Sequence, residues 1–222
     1  MEGMIQVLIM REYAIVPAAA PLPGLTGTIF DPVTEPFCAG EYAPIDTYAW
    51  GGDYRPEARA YVVWDDAGLR VLLCAREATV SAKVTVFNGD VWTDCCLEFF
   101  LRPFADDARY LNIEVNAAGA ALIGIGAGRN DRMRFESCPE GMDFRASEHD
   151  GAWWAVAYTV PYALIEALYG RKFAPGTPFE GNFYCCDETL HPHFGSWNPI
   201  AAPEPDFHRP ECFGRLTMGK QL

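Results

Sequence analysis

The run Tyr110-Leu111-Asn112-Ile113-Glu114-Val115-Asn116 alternates aliphatic residues with residues that carry a polar group, without a break. Successive side chains of a strand point to opposite faces, so this order makes one apolar and one polar face only in a half-buried strand. Leu111, Ile113 and Val115 are expected to point inward, and Tyr110, Asn112, Glu114 and Asn116 outward. The same parity applies to the segment from Trp92 to Arg102. Thr93, Cys95, Leu97, Phe99 and Leu101 form a core face, and Asp94, Cys96, Glu98, Phe100 and Arg102 a mixed one. If the two strands pair, the Glu98 row lies beside the Glu114 row, either as a donor–acceptor grid that suits sugar hydroxyls or as a plain solvated sheet face.

The rest of the chain fits an all-β reading. Arg59–Asp65 and Leu69–Ala75 flank Asp66-Ala67-Gly68, a hairpin signal. Further strands are expected at residues 120–126, 132–136, 142–147, 152–160, 180–187 and 214–218. Pro161 opens a short helix to about Leu168, stopped near Gly170. Residues 24–58, rich in Gly, Pro, Asp and Thr, read mostly as loop. Frequent turns predict a β-sandwich of jelly-roll or immunoglobulin-like type with one short helix. No repeat or linker splits the 222 residues, so a single domain is expected, with its core over about residues 40–220.

Seventeen basic residues against thirty acidic ones give a net charge of −13. That balance argues against nucleic acid or an anionic membrane as the main partner. There is no apolar run of membrane-spanning length. Glu2 comes early, no basic stretch precedes the short apolar run, and Arg11 and Glu12 break it, so a secretory signal is not expected and a cytoplasmic location is. Eight cysteines without a CxxC spacing fit reduced thiols in such a compartment. The vicinal pairs Cys95-Cys96 and Cys185-Cys186 send their thiols to opposite faces and read as small buried hydrophobes.

These residues also suit other chemistries. Glu98 and Glu114 could act as the acid pair of a sugar hydrolase or isomerase, which needs two carboxyls roughly 5–9 Å apart. Gly124-Ile125-Gly126-Ala127-Gly128 leads into Arg129-Asn130-Asp131-Arg132 and not into an amphipathic helix, so it reads as a turn between strands and not a nucleotide loop. His191, His193 and His208 offer metal or haem ligands, but without a fixed two-ligand spacing or an attachment motif.

Taken in order, Trp64-Asp65, Trp92 with Glu98, Tyr110–Asn116, Val160-Pro161, Gly181-Asn182-Phe183-Tyr184, Ser196-Trp197-Asn198-Pro199 and Phe207–Leu216 resemble the family 9 carbohydrate-binding modules, in their stand-alone family 9-like branch. The resemblance spans roughly residues 40–220. It implies a β-sandwich that binds a mono- or oligosaccharide without catalysis, the sugar ring clamped between two aromatic side chains. Trp92 matches the first clamp position, and Phe207, three residues before Pro210 and six before Phe213-Gly214, the second. Glu98 matches a binding acid, and Asn112 and Glu114 the strand that supplies an arginine and an asparagine. That arginine is missing here, with Arg109 close by, and Cys185 stands where a polar side chain is expected. Trp197 is expected to be structural. No cofactor is implied beyond structural calcium, for which Asp65, Asp66, Asp106 and Asp107 are loop acids of the right type but form no assignable ligand set.

Overall fold

Two sheets pack face to face around one apolar interior. The computed structural model describes residues 10–18, 41–149, 153–176 and 178–219, with the backbone alone over 147–149. The first sheet contains β6 (Cys96–Arg102), β7 (Tyr110–Asn116), β8 (Ala121–Gly128), β9 (Asp131–Arg134), β12 (Pro178–Asp187), β13 (His193–Ser196) and β14 (Gly214–Met218). The second contains β4 (Glu57–Trp64), β5 (Gly68–Arg76), β10 (Arg145–His149) and β11 (Trp153–Pro161). Strand β1 (Glu12–Pro17) joins them: its first part runs parallel to β14 and its last two residues parallel to β4.

The inward residues are the ones that alternation assigns. Leu97, Phe99 and Leu101 of β6 and Leu111, Ile113 and Val115 of β7 are fully buried, facing Val71, Leu73, Val156 and Tyr158 of the second sheet. The β4–β5 hairpin turns where expected. Asp65 Oδ1 accepts the backbone N–H groups of Ala67 and Gly68, and Oδ2 accepts from Arg70 at 2.8 Å. The one α-helix among the described residues, α1 (Tyr162–Tyr169), follows Pro161 and ends at Gly170, whose φ of 66° is the left-handed conformation that glycine adopts without strain.

Three expectations need correction. Residues 41–58 are not mostly loop: β2 (Ala43–Ile45) pairs with β4, and β3 (Thr47–Gly51) pairs with β13. Short strands completed by distant partners leave little local periodicity; residues 24–40 lie outside the described residues. The glycines at 124, 126 and 128 are within β8 and form no turn. The polar row of β6 and β7 is not a solvated face either, because the chain from Trp197 to Phe213 covers it. Ile200 and Phe213 pack on Phe100, Tyr110 and Tyr184, with Phe207 packed against them.

Among the described residues no helix is long and apolar enough to cross a membrane. Cys95, Cys96, Cys138, Cys185, Cys186 and Cys212 are free thiols, and Cys38 lies outside the described residues.

Candidate functional site

The covered polar row forms the floor of a cavity of about 250 Å³. That is just below the roughly 300–1,000 Å³ typical of drug-sized ligand sites. In the β6–β7 ladder Glu98 lies directly opposite Glu114. Both line the cavity, yet each residue keeps only 2% of its surface exposed.

Burial sets the electrostatics of this pair. Glu98 is held well above the usual carboxylate range, first by loss of water and second by the neighbouring Glu114 charge. Glu114 is pushed up to about 7 by burial, against the opposing pull of Arg132 and the hydrogen bond from Asn112. Two acids this close do not both ionise readily. Glu114 has the better claim to the negative charge, because Arg132 Nη1 stands 3.7 Å from its Oε1 and Asn112 Nδ2 donates to the same oxygen at 2.8 Å. Glu98 Oε1 accepts only from the Cys186 thiol, at 3.3 Å. Above about pH 7 the floor therefore carries one acid that can donate a proton and one that can only accept.

The walls come from four further segments. Trp92 sits in a 3-10 turn, Val91–Thr93, just before β6. Asp94 fixes that turn from below: it is 1% exposed and accepts from Ser81 Oγ, the backbone N–H of Lys83 and Val84, and Asn116 Nδ2. Asp94, expected on the mixed face of a strand, is thus a clamp on residues 81–84 and lies before β6. Phe207, in the covering chain, stacks on Tyr184 with centroids 4.2 Å apart and planes at 9°. The Arg134 guanidinium lies 5.3 Å from the Trp92 ring centroid. His208 touches Tyr110 through Nδ1 at 2.7 Å and meets Arg132 through Nε2. Arg132 Nη1 lies against both ring nitrogens of His208, and arginine can only donate. Burial, then Arg132 and Arg129, lower the His208 pKa to about 2, which keeps it neutral.

Of the residues that sequence reasoning singled out, Trp92, Glu98, Glu114 and Phe207 meet in this cavity. Asn112 lies behind it, fully buried, supporting Glu114. Cys185 does not reach it. It lies opposite Leu97, on the core side of β12, and Cys186 takes the cavity side opposite Cys96. Arg109 is elsewhere too, paired with Asp107 at 2.7 Å and donating to the Leu168 carbonyl. The arginines at the cavity are Arg129, Arg132 and Arg134, on β9 and the turn before it. Trp197 is 2% exposed in the core. Three of the four loop acids considered for calcium are engaged by arginines: Asp65 by Arg70, Asp106 by Arg171 and Asp107 by Arg109.

The three histidines part company: His208 lines the cavity, His193 is buried and His191 lies at the surface. Two other groups could hold a metal among the described residues. One is Cys96, Glu98 and Cys186 on the cavity floor; the other is Glu77, Cys185 and His193 in the interior.

The floor tolerates little added bulk. A methyl group at Gly124, on β8, would come within 2.5 Å of Asn112 Oδ1. Gly124→Ala is expected to push Asn112 away from Glu114 and to destabilise the protein by about 1–3 kcal/mol, as overpacking does. Chemical denaturation beside wild type reads that loss, and an unchanged midpoint would refute the close fit.

Comparison with known proteins agrees with this architecture. Residues 37–218 match the family described as carbohydrate-binding family 9. The crystal structure of a candidate carbohydrate-binding protein from Bacteroides uniformis is similar, with 27% identity, a TM-score of 0.75, and 94% of this chain and 99% of that one covered. A family 9 module from Caldicellulosiruptor kristjanssonii in complex with glucose has a TM-score of 0.62 and 14% identity, with 95% of this chain and 97% of that one covered. Its complex with cellotriose has the same TM-score, 13% identity, and 96% and 95% covered. No curated protein matches. With most of the sandwich inside one family match, and the same fold in that family's solved modules, the chain belongs to carbohydrate-binding family 9.

Proposed function

We propose that the cavity binds a mono- or oligosaccharide, one ring at a time, and releases it unchanged. The observation that carries this reading is the meeting of Trp92, Phe207, Glu98 and Glu114 in one cavity of a family 9 fold. The carbon-bound hydrogens of a pyranose make its faces apolar, and an aromatic ring buries them while polar neighbours fix orientation. Tyr184 already backs Phe207, so the other face of that ring is the one left to a sugar. The neutral Glu98 carboxyl donates to one hydroxyl, and the charged Glu114 accepts from another. Arg132 and His208 take the place of the arginine missing from β7.

The buried acid pair, with its raised pKa values, also favours the rival reading of a sugar hydrolase or isomerase. The two carboxyls stand side by side on one sheet, directly opposite in register. A glycosidase pair has to flank the bond it breaks, and this placement favours binding.

Calorimetric titration with glucose, cellotriose and a wider panel of sugars tests both readings. Saturable heat with at least one sugar, recovered chemically unaltered, is expected. Removing a large apolar contact costs about 1.5–3 kcal/mol, so Trp92→Ala should weaken binding roughly 10–100-fold. Binding untouched by that substitution would move the site elsewhere, and a converted sugar would make the protein an enzyme.

A further inference from the structure

On the other side of the first sheet, away from the cavity, a second set of polar side chains meets inside the sandwich. Glu77 follows β5, Cys185 points inward from β12, and His193 opens β13. Glu77 is 3% exposed and the other two are fully buried. One donor atom from each, a carboxylate oxygen, a thiol sulfur and an imidazole nitrogen, all lie within 4.8 Å of one another.

The spacing suits a metal ion. Cys185 Sγ stands 3.5 Å from His193 Nε2. With metal–sulfur and metal–nitrogen bonds of about 2.3 and 2.0–2.1 Å, a tetrahedral zinc ion sets that edge at roughly 3.5–3.6 Å.

Outer partners hold the ligands in a binding pose. The His191 carbonyl can only accept, so His193 Nδ1 carries the proton and donates to it at 2.7 Å. Nε2 is left with its lone pair facing Cys185. Trp154 Nε1 donates to Glu77 Oε1 at 2.9 Å, leaving Oε2 toward Cys95, whose sulfur is 3.3 Å away. The Ser81 N–H donates to that sulfur at 3.2 Å. Ligating histidines and carboxylates are fixed by second partners of this kind. A Cys185 thiolate and a Glu77 carboxylate would together neutralise a divalent cation, where either charge alone would be costly to bury. Tyr54 and Tyr48, both half-buried, set their rings against His193, and Tyr54 also against His191.

We propose that Glu77, Cys185 and His193 form a structural site for a divalent ion of the zinc class. Binding releases the Cys185 thiol proton to solvent and changes no oxidation state.

Cobalt(II), added to the full chain after chelator treatment under reducing conditions, reports such a site. One equivalent should produce a near-ultraviolet thiolate-to-cobalt band and the visible bands of tetrahedral cobalt. Zinc(II) should bleach both and raise the Tm of wild type. Cys185→Ser should abolish the near-ultraviolet band, and Cys186→Ser should keep it. A band lost with Cys186→Ser but kept with Cys185→Ser would put the ion on the cavity floor and overturn the proposal. No band in wild type, with Tm indifferent to zinc and chelator, would leave a thiol–imidazole hydrogen bond in place of a metal site and overturn it equally. His193→Gln gives an independent check should Cys185→Ser fail to fold: visible bands that survive it also refute the site.

Discussion

Asp94→Ala should cost about 3–5 kcal/mol, the range for breaking a buried charged network. The carboxylate is almost wholly buried and accepts four hydrogen bonds, from Ser81 Oγ, two backbone amides and Asn116 Nδ2. Alanine would leave those donors facing a void, and each buried donor without a partner costs about 1–3 kcal/mol. Asp94→Asn is the informative control. Its carbonyl can take the place of Oδ2 and keep the two amides and Asn116, while its NH2 turns to Ser81 Oγ, which can accept. The asparagine variant should therefore stay within about 1–1.5 kcal/mol of wild type, the worth of one hydrogen bond. Urea denaturation of the three proteins separates these outcomes, and two equally mild substitutions would show that the acid anchors nothing. The alanine variant should also lose sugar affinity, because Trp92 lies two residues before the anchor.

Glu98→Gln should make the protein more stable at neutral pH and leave it unchanged in acid. The folded state holds Glu98 well above the usual carboxylate pKa. From an ordinary value near 4.5 upward, the unfolded chain therefore releases a proton that the folded chain keeps. Stability then falls as pH rises, by about 1.4 kcal/mol per unit, until the folded group ionises. Glu114 adds a loss of the same sign between 4.5 and about 7. Glutamine cannot titrate and can still accept from the Cys186 thiol. The two proteins should coincide near pH 4.5 and separate progressively as pH rises above it. Stability curves that stay parallel from pH 5 to pH 8 would mean that Glu98 ionises normally and that the floor is wetter than its burial indicates.

The apolar face of the sheet was legible in the sequence because parity along β6 and β7 is a local property. What lies over the other face was not. Glu114 looks like a solvated residue until the chain from Trp197 to Phe213 comes back from some ninety residues away to cover it, and Asn116 until Val84 and Asp94 bond it. Cys185 and Cys186 show the opposite case, where the signal was present. Phe183 and Cys185 share a parity, so an inward Phe183 sends Cys186 and not Cys185 to the Glu98 side. The arginines had no such signal. Arg132 reaches Glu114 because β8 and β9 pair with a register shift between Gly126 and Gly128, and a bulge of that kind leaves no two-residue pattern to read. The strands at 43–51 were hidden by their shortness, since each is defined by a partner distant in the chain.

Strand β1 has a kinetic side. It pairs with β14 on one sheet and with β4 on the other, and Glu12 lies opposite Arg215. Nearly the whole described chain must be in place before that seam can close, and contacts so far apart in sequence are slow to form. The covering chain with Phe207 and His208 runs directly into β14. The binding cavity is thus completed late, by the same step that welds the two sheets into one cooperative unit. A chain caught before that step would carry its acid pair open to water and would lack the proposed sugar site.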